Sequence, residues 1–423
     1  MARVGPDAAA PVPLAPPRAI TFGLVPVDIA TLAQPADTRI VLVVMDGLGG
    51  YADAHHGTEL EEALTPNLDA LATEGAVGLV EPVGPGITPG SGPGHLGLFG
   101  YDPLEFELGR GALSAAGLEV VLQPGDVAAR ANIATLDAEG RITDRRAGRL
   151  PDDEAATVVK TLSQGVKISG VEVEFVHEAQ HRVLIVFRGE GLDPAVAETD
   201  PQVVGAEPRV AVALQPAAER TAEVIAEFDQ QVRALLVDHP RANCLLLRGF
   251  DSHRALPSMQ ERYGLNPAAV AIYPMYRGIA HLVGMEVLPK PMDLDGQLDQ
   301  LRDNWNRFDY FFVHHKYTDS AGEDGNREGK VAAIEDLDAV IPALRELGPD
   351  VIVVTGDHST PSQMAAHSWH PVPALIWAER VGRDSATTFG EDSCRTGALG
   401  LRPTKDLMPI ALACAGRLAK YGA

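Results

Sequence analysis

The sequence predicts an α/β protein in which helices sandwich a mostly parallel sheet and an inserted α+β domain interrupts it. Continuous apolar runs that end in polar residues occur near both ends of the chain, for example IVLVVMDGLGG at 40–50 and VIVVTGDHS at 351–359. Such runs are typical of parallel strands covered on both faces. From about Val120 the pattern changes to short alternating segments separated by turn residues, which indicates an antiparallel insertion.

The length and charge of the chain limit its organisation and partners. A chain of 423 residues exceeds the usual size of a single core, so we expect residues 21–118 and 255–423 to form one domain and residues 119–254 the inserted domain. Residues 1–20 are rich in Ala and Pro and are expected to form a flexible tail. The net charge of −23 argues against a nucleic-acid partner and against binding to anionic membranes. The three widely spaced cysteines fit a reducing cytoplasm, and oligomeric state is left open.

The first predicted β/α unit begins with the strand at 40–50, which ends in Asp46. A helix is expected to follow, with Thr65 as N-cap, Pro66 at its start and Leu68, Leu71 and Ala72 on one face. Residues 84–103 then form a Gly-rich turn around Ser91, and the run LGLF after His95 predicts a helix behind it.

The insertion and the return to the sheet are predicted from the same patterns. In the insertion, RANIATLD predicts a strand, PDDEAATVVKTLSQ a helix, residues 219–240 a helix and residues 241–250 a strand that ends near Arg248. Parallel-type runs return in AAVAIYPMYRG, DYFFVHHKYTD and VIVVTGDHS, with EGKVAAIEDLDAVIPALREL as a crossover helix. PVPALIW is expected to be the final strand, and KDLMPIALACAGRLAKYG the closing helix.

Polar side chains at the predicted strand ends form a candidate metal site. Functional groups in open α/β sheets gather beyond the carboxyl ends of the strands. One helical turn would bring Asp319 and Glu323 to the same side. The set has enough ligands for two divalent ions with three protein ligands each, and comprises Asp46, Asp319, Glu323, Asp357, His358, His367 and Ser91. The alternative is a group of ordinary polar loops.

Ser91 is a candidate nucleophile because a hydroxyl on a Gly-rich turn before a helix is well placed to receive a phosphate. A bound metal lowers the pKa of a hydroxyl, so no histidine base is required. The alternative is a linker that carries a solvated serine.

Several runs in the chain resemble those of the archaeal-type cofactor-independent phosphoglycerate mutases, in the alkaline phosphatase superfamily. They are VMDGLGG, TPNLDALATEG, TPGSGPGHLGLFGYDP, KYTDSAGEDG, GDHSTP and AAHSWHPVP, with RANIATLD, DRRAGR, LLLRGF and YPMYRG in the family's order. The resemblance extends from about residue 38 to the end of the chain and implies an alkaline-phosphatase-like fold.

The resemblance also implies an activity and a set of site residues. The activity is interconversion of 3-phosphoglycerate and 2-phosphoglycerate through a phosphoserine on Ser91. One metal would be held by Asp46, Ser91, Asp357 and His358, and the other by Asp319, Glu323 and His367. The cofactors would be two divalent cations, Mn²⁺, Mg²⁺ or Co²⁺, with Zn²⁺ as an alternative. At position 323 the family pattern has histidine, so glutamate there shifts the expected preference toward Mg²⁺ or Mn²⁺.

A substrate with a phosphate and a carboxylate also requires fixed cationic groups. The candidate substrate-binding residues are His95, Arg130, Arg146, Arg149, Arg248, Arg277 and Lys316. Arg145 competes with Arg146 for one role, and surface salt bridges are the alternative for some of these arginines.

Two other functions remain as alternatives at the level of the sequence. One is a phosphatase or phosphonate hydrolase with the same metal core, and the other is a catalytically inactive metal-binding regulatory module. A mutase needs a second domain that closes over the glycerate and keeps water from the phosphoserine, and the insertion with its basic residues supplies a candidate lid.

Overall fold

The computed structural model describes residues 29–106, 108–118, 120–252 and 256–422. The tail predicted at residues 1–20 lies outside these residues. The strands that the structure describes are β1 (Ile40–Met45), β2 (Ala76–Glu81), β3 (Val127–Leu136), β4 (Ile142–Asp144), β5 (Glu172–Ala179), β6 (Arg182–Arg188), β7 (Cys244–Ser252), β8 (Pro267–Ala271), β9 (Glu286–Val287), β10 (Tyr310–His315), β11 (Val351–Thr355), β12 (Val372–Ala378) and β13 (Gly400–Pro403).

Helices separate most of these strands. The α-helices of the described residues are α1 (Glu59–Glu62), α2 (Pro66–Glu74), α3 (Ser91–Leu98), α4 (Arg110–Gly117), α5 (Asp152–Gly165), α6 (Glu219–Leu235), α7 (Met259–Tyr263), α8 (Pro274–Leu282), α9 (Leu294–Asn304), α10 (Tyr317–Glu323), α11 (Arg327–Glu346), α12 (Glu391–Thr396) and α13 (Leu407–Cys414). None of them is both long enough and apolar enough to traverse a lipid bilayer.

The larger sheet has eight strands in the order β13-β2-β12-β11-β1-β10-β8-β9. Strand β12 runs antiparallel to both of its neighbours, and every other neighbouring pair is parallel. Every residue of β1, β10 and β11 is buried, and helices α2, α9 and α13 pack against the sheet. The predicted mostly parallel, helix-covered sheet is confirmed, and its central strands come from both ends of the chain.

The smaller sheet contains five strands, all paired antiparallel, with β3 at its centre between β6 and β7. One face packs against α5 and α6 in a hydrophobic cluster separate from that of the larger sheet. Helix α4 covers the opposite face and also packs against α8 of the larger unit. The predicted α+β insertion therefore has its own sheet and its own core.

Several local predictions were wrong at their boundaries. Strand β2 was not predicted. Strand β13 was also missed and follows the strand that was expected to be the last; it has four residues, lies at the sheet edge, ends in proline and has no apolar run. The helix expected behind His95 begins at Ser91. The closing helix ends at Cys414, because Gly416 adopts a left-handed backbone conformation with φ of +70°.

The N-terminus of α2 has a cap that the sequence did not predict. Thr65 occupies the N-cap position, but its side chain makes no capping hydrogen bond. The backbone N–H groups of Asn67 and Leu68 instead donate to the carboxylate of Asp338 in α11, over 3.1 and 2.7 Å. A distant carboxylate therefore caps this helix and ties it to the crossover helix. Leu68, Leu71 and Ala72 are buried, as predicted.

Candidate active site

The candidate site lies at the carboxyl ends of three adjacent strands, β11, β1 and β10. Asp46 directly follows β1, Asp319 lies on α10 shortly after β10, and Asp357 and His358 follow β11. Neighbouring parallel strands bring their carboxyl ends to one edge of a sheet, so residues about 270 and 310 positions apart in sequence become neighbours.

Asp46, Asp357 and His358 form the first group of candidate metal ligands, and all three are fully buried. The Nε2 atom of His358 lies 3.4 Å from Oδ1 of Asp46 and 3.2 Å from Oδ2 of Asp357. Within the described residues, these two carboxylate oxygens have no hydrogen-bond partner. Ser91 Oγ is 3.3 Å from the same nitrogen, so the four side chains predicted for one metal converge.

The tautomer of His358 favours a metal in this group. Thr360 Oγ1 donates to Oδ1 of Asp319 over 2.7 Å, and therefore accepts from Nδ1–H of His358 over 3.0 Å. Nε2 then carries a lone pair directed at the oxygens of Asp46 and Asp357. Burial lowers the pKa of His358 to about 4, which keeps the ring neutral. A neutral imidazole facing two unpaired carboxylate oxygens is the donor set of a divalent cation.

The second group of candidate ligands comprises Asp319, His358 and His367. Nδ1 of His367 lies 3.0 Å from the carbonyl of Pro89, and its Nε2 is 3.6 Å from both Asp319 Oδ1 and Glu323 Oε1. The rings of His358 and His367 stack with their centroids 3.6 Å apart. Asp319, Glu323 and His367 therefore meet as predicted, with His358 between the two groups. Glu323 is the outermost member, since 55% of its side chain is exposed.

The electrostatic environment of the first group is strongly anionic. Burial and the neighbouring Asp357 raise the pKa of Asp46 well above its usual value. Lys316 partly offsets this charge, because its ammonium contacts Asp319 and lies 3.0 Å from Oδ2 of Asp46. These two carboxylates outweigh the effect of burial and raise the pKa of Lys316. The predicted substrate-binding lysine therefore lies between carboxylates of the two ligand groups.

Ser91 is the first residue of α3, with Gly90 as its N-cap. This position places the Ser91 side chain at the positive end of the helix dipole. Helix α3 approaches two elements closely: a Cβ on Gly92 would lie 2.9 Å from Cδ1 of Leu113 in α4, and one on Gly94 would lie 2.3 Å from the carbonyl oxygen of Asp357. The glycines around Ser91 therefore allow close contact with the ligand loop and with α4.

A layer of fully buried rings lies beneath the site. Nδ1 of His95 is 2.8 Å from the carbonyl of Ser91 and 3.2 Å from Oδ2 of Asp357. His95 stacks on Tyr276, which stacks on His314, with centroid distances of 4.5 and 3.9 Å. His95 was predicted to bind substrate, but its side chain is enclosed and contacts a candidate ligand from below.

Lys330 of α11 connects the two ligand loops from inside the protein. Its fully buried ammonium donates to the carbonyls of Gly49 and Thr360, over 3.1 and 2.8 Å. Gly49 lies three residues after Asp46, and Thr360 two residues after His358. Lys330 therefore joins the loops that follow β1 and β11.

Four arginines cluster on the face of the smaller sheet that α4 covers. Arg130 of β3 pairs across the sheet with Arg248 of β7, and burial together with Arg110, Arg182 and Arg248 lowers the pKa of Arg130 to about 10. Three acidic side chains approach the cluster. Arg248 Nε lies 3.6 Å from Glu198 and 3.8 Å from Asp200, and Glu178 interacts with Arg130.

Helix α4 connects the arginine cluster to the region around Ser91. Arg110 is the first residue of α4, one helical turn before the Leu113 that contacts Gly92. Burial is the largest cause that lowers the pKa of His181 to about 4, and the nearby charges of Arg182, Arg146, Arg149 and Arg130 lower it further. Arg146 and Arg149 therefore lie in the same region as the cluster.

Two arginines considered from the sequence have other partners. Arg145 forms a bidentate ion pair with the buried Asp200, with distances of 3.0 and 2.6 Å, which leaves Arg146 as the exposed member of the pair. Arg277 donates to the carbonyls of Ala271 and Leu288 over 3.3 and 2.8 Å. These two contacts hold the end of β8 to the segment that follows β9.

Sequence reasoning missed several residues of the site, and they are Arg110, Arg182, Tyr276, His314, Lys330 and Thr360. Tyr276 directly precedes the candidate Arg277 in the run YPMYRG, whereas Arg110 lies outside every run that the sequence analysis considered. Lys330 had no signal, because a lysine in an amphipathic helix normally faces solvent.

A mostly parallel sheet whose strand ends hold buried carboxylates and imidazoles beside a serine at a helix start is an arrangement suited to a phosphoryl-transfer enzyme. Residues 72–242 match the family model for 2,3-bisphosphoglycerate-independent phosphoglycerate mutase. A probable 2,3-bisphosphoglycerate-independent phosphoglycerate mutase of Thermus thermophilus is 52% identical over 397 residues, which cover 93% of this chain and 98% of the relative. The one from Deinococcus radiodurans is 50% identical over 400 residues, with the same coverage of both chains.

Solved structures agree with this likeness. The cofactor-independent phosphoglycerate mutase from Thermoplasma acidophilum is 31% identical, with a TM-score of 0.69 over 90% of this chain and 100% of the other. The PH0037 protein from Pyrococcus horikoshii is 28% identical, with a TM-score of 0.77 over 91% and 99% of the two chains. The chain belongs to the family of 2,3-bisphosphoglycerate-independent phosphoglycerate mutases. Its substrate is therefore a small phosphoglycerate, and the hydrolase alternative is not supported.

Proposed function

We propose that this mutase interconverts 3-phosphoglycerate and 2-phosphoglycerate through a phosphoserine on Ser91. The observation that carries the proposal is the convergence of Ser91 Oγ with Asp46, Asp357 and His358 around one nitrogen, His358 Nε2. In the first half-reaction Ser91 Oγ bonds to phosphorus, and the bond between phosphorus and the 3-oxygen of glycerate breaks. In the second, the 2-oxygen bonds to phosphorus and the bond to Ser91 Oγ breaks. Each attacking hydroxyl loses one proton and each leaving oxygen gains one, so the two halves balance.

Two divalent cations, Mn²⁺, Mg²⁺ or Co²⁺, are proposed as cofactors. The first would be held by Asp46, Ser91, Asp357 and His358; the unpaired oxygens of both carboxylates and the neutral imidazole fit such an ion. The second would be held by Asp319, Glu323 and His367. When bound, these ions supply positive charge that stabilises an ionised serine oxygen and the phosphoryl group in transfer.

The arginine cluster is proposed to hold the anionic groups of the glycerate. Arg130, Arg146, Arg149 and Arg248 remain the proposed substrate-binding residues of the insertion, with Lys316 beside the ligand groups and with Arg110 and Arg182 added from the geometry. Guanidinium forks match carboxylate and phosphate oxygens in pairs. His95 is proposed to position the Asp357 carboxylate, which it contacts. Arg277 is proposed to hold the backbone, because it donates to backbone carbonyls.

The insertion, residues 119–254, is proposed to act as a lid over the remaining domain, residues 21–118 and 255–423. Its separate sheet and hydrophobic cluster allow it to move as a unit. Closure would exclude water while the glycerate turns beside the phosphoserine, which prevents hydrolysis.

Ser91→Ala tests the phosphoserine. We expect the variant to lose mutase activity on 3-phosphoglycerate while its circular dichroism spectrum stays that of the wild type, because a methyl group replaces the attacking oxygen. Ser163→Ala on the exposed end of α5 is the matched control and should keep full activity. Substantial turnover by Ser91→Ala excludes the phosphoserine.

A further inference from the structure

Tyr276 of α8 is a polar residue enclosed against the candidate ligands. Its side chain is 1% exposed, although its hydroxyl requires partners. The hydroxyl donates to Oδ2 of Asp46. A phenol has one proton, so the proton of Tyr276 is committed to this carboxylate.

The aromatic ring of Tyr276 is fixed on both faces. His95 stacks on it at 4.5 Å between centroids, and His314 stacks on it at 3.9 Å. Nε2 of His314 also lies 3.5 Å from the same oxygen of Asp46. The helix that carries Tyr276 is itself held, since a Cβ on Gly278 would lie 2.2 Å from the carbonyl carbon of Ala116 in α4. The hydroxyl therefore has little freedom to leave Asp46.

The contact determines which oxygen of Asp46 faces His358. Oδ2 accepts from Tyr276 and lies 3.0 Å from the ammonium of Lys316. Oδ1 has no hydrogen-bond partner among the described residues and lies 3.4 Å from Nε2 of His358. By occupying one oxygen, Tyr276 leaves the other directed toward the proposed metal position.

We propose that Tyr276 is a positioning residue of the phosphoryl-transfer site, whose hydroxyl orients the Asp46 carboxylate toward the proposed metal position beside Ser91. The proposal rests on the proposed role of Ser91. Tyr276 lies beneath the site and does not touch the glycerate, so its hydroxyl affects the rate of transfer and the binding of metal, and leaves substrate affinity unchanged.

Tyr276→Phe tests the proposal because it removes one oxygen and keeps the ring between its two histidines. Tyr310→Phe is the matched control: Tyr310 is also 1% exposed, lies on β10 of the larger sheet, and its hydroxyl has no partner among the described residues. Both variants lose a buried phenol oxygen, and Tyr276→Phe alone loses a hydrogen bond to Asp46. The measurements are kcat and KM for 3-phosphoglycerate, and Mn²⁺ titration calorimetry on metal-stripped protein.

For Tyr276→Phe we expect kcat and Mn²⁺ affinity to fall about 10- to 100-fold, as is usual when a residue that orients a metal ligand is changed. KM should stay within about twofold, and Tyr310→Phe should match the wild type in all three quantities. Wild-type kcat and Mn²⁺ affinity in Tyr276→Phe overturn the proposal. So do equal losses in the two tyrosine variants, since the cause would then be core packing.

Failure of the proposed function would be recognised separately. It would show as substantial turnover by Ser91→Ala, whatever Tyr276→Phe does. The Mn²⁺ titration needs no turnover, so it reports on the contact between Tyr276 and Asp46 even in that case.

Discussion

Lys330 offers a quantitative test of how the ligand loops are held together. Lys330→Met keeps most of the side-chain length but removes an ammonium that is fully buried, donates to two loop carbonyls and lies 3.8 Å from Oε2 of the equally buried Glu59. Burial lowers the pKa of Lys330. The charge of Lys330 and the hydrogen bonds from Ser362 outweigh the effect of burial on Glu59 and lower its pKa, so Glu59 is ionised near neutral pH.

Removing one partner of a buried ion pair leaves the other charge uncompensated, which costs about 3–5 kcal/mol. The two hydrogen bonds from the ammonium are part of that cost, since a bond to a charged group is worth about 1.5–3 kcal/mol. Glu59 keeps its bonds from Ser362 and lies 3.6 Å from Arg327, which favours the lower end of the range. We therefore expect Lys330→Met to lower the free energy of unfolding by about 3 kcal/mol.

Urea unfolding at pH 7 measures this change as a shift of the midpoint at unchanged slope. Lys405→Met is the control, because Lys405 forms a partly exposed ion pair with Asp102, with 39% of its side chain exposed, and should lose less than about 1 kcal/mol. Combining Lys330→Met with Glu59→Gln should cost less than the sum of the two single changes, by about 1–3 kcal/mol. Additive effects would refute the ion pair, and a loss no larger than that of Lys405→Met would refute the role of Lys330 in joining the loops.

Two further predictions concern the metal and the acid stability of the insertion. Glu323→His should raise the affinity of metal-stripped protein for Zn²⁺ relative to Mg²⁺ in competitive titration, because imidazole is a softer ligand than carboxylate; an unchanged ratio would separate Glu323 from the metal. Arg145 and the Gln202 N–H lower the pKa of Asp200 despite burial, so its folded-state pKa lies below the unfolded value of about 3.9. The stabilisation is therefore complete above the unfolded pKa and is lost as pH falls through the folded pKa. Asp200→Asn should flatten the fall in stability below about pH 5, measured by urea unfolding at several pH values, and an unchanged profile would contradict it.

The sequence predicted much of the larger sheet because its strands have a local signal. β1, β10 and β11 are apolar along their whole length and end in polar residues, which is the pattern of buried parallel strands. Strand β13 has no such signal, since its residues GLRP alternate between exposed and half-buried positions at the sheet edge. Its place depends on β2, more than 300 residues earlier in the chain.

The candidate ligands were predictable for the same reason, and the residues that support them were not. Asp46, Asp319 and Asp357 each follow a recognisable strand, so the order of strands brings them together. Tyr276 lies in a run of mostly apolar residues, and its contact with Asp46 joins positions 230 residues apart. Such contacts depend on which helix packs beneath which strand end, and no local pattern records that arrangement.

The balance of charge at the strand ends supports the divalent cations proposed for the site. Asp46, Asp319, Asp357 and Glu323 bring four carboxylates together, and Lys316 is the nearby ammonium that contacts two of them. His358 does not neutralise this negative charge, because its pKa of about 4 keeps the imidazole uncharged near neutral pH. Its Nε2 atom directs a lone pair, and no proton, at Asp46 and Asp357. Adding a phosphate to this environment would be strongly unfavourable. The two divalent ions proposed above would reverse the sign of the local charge, and the anionic substrate could then approach Ser91.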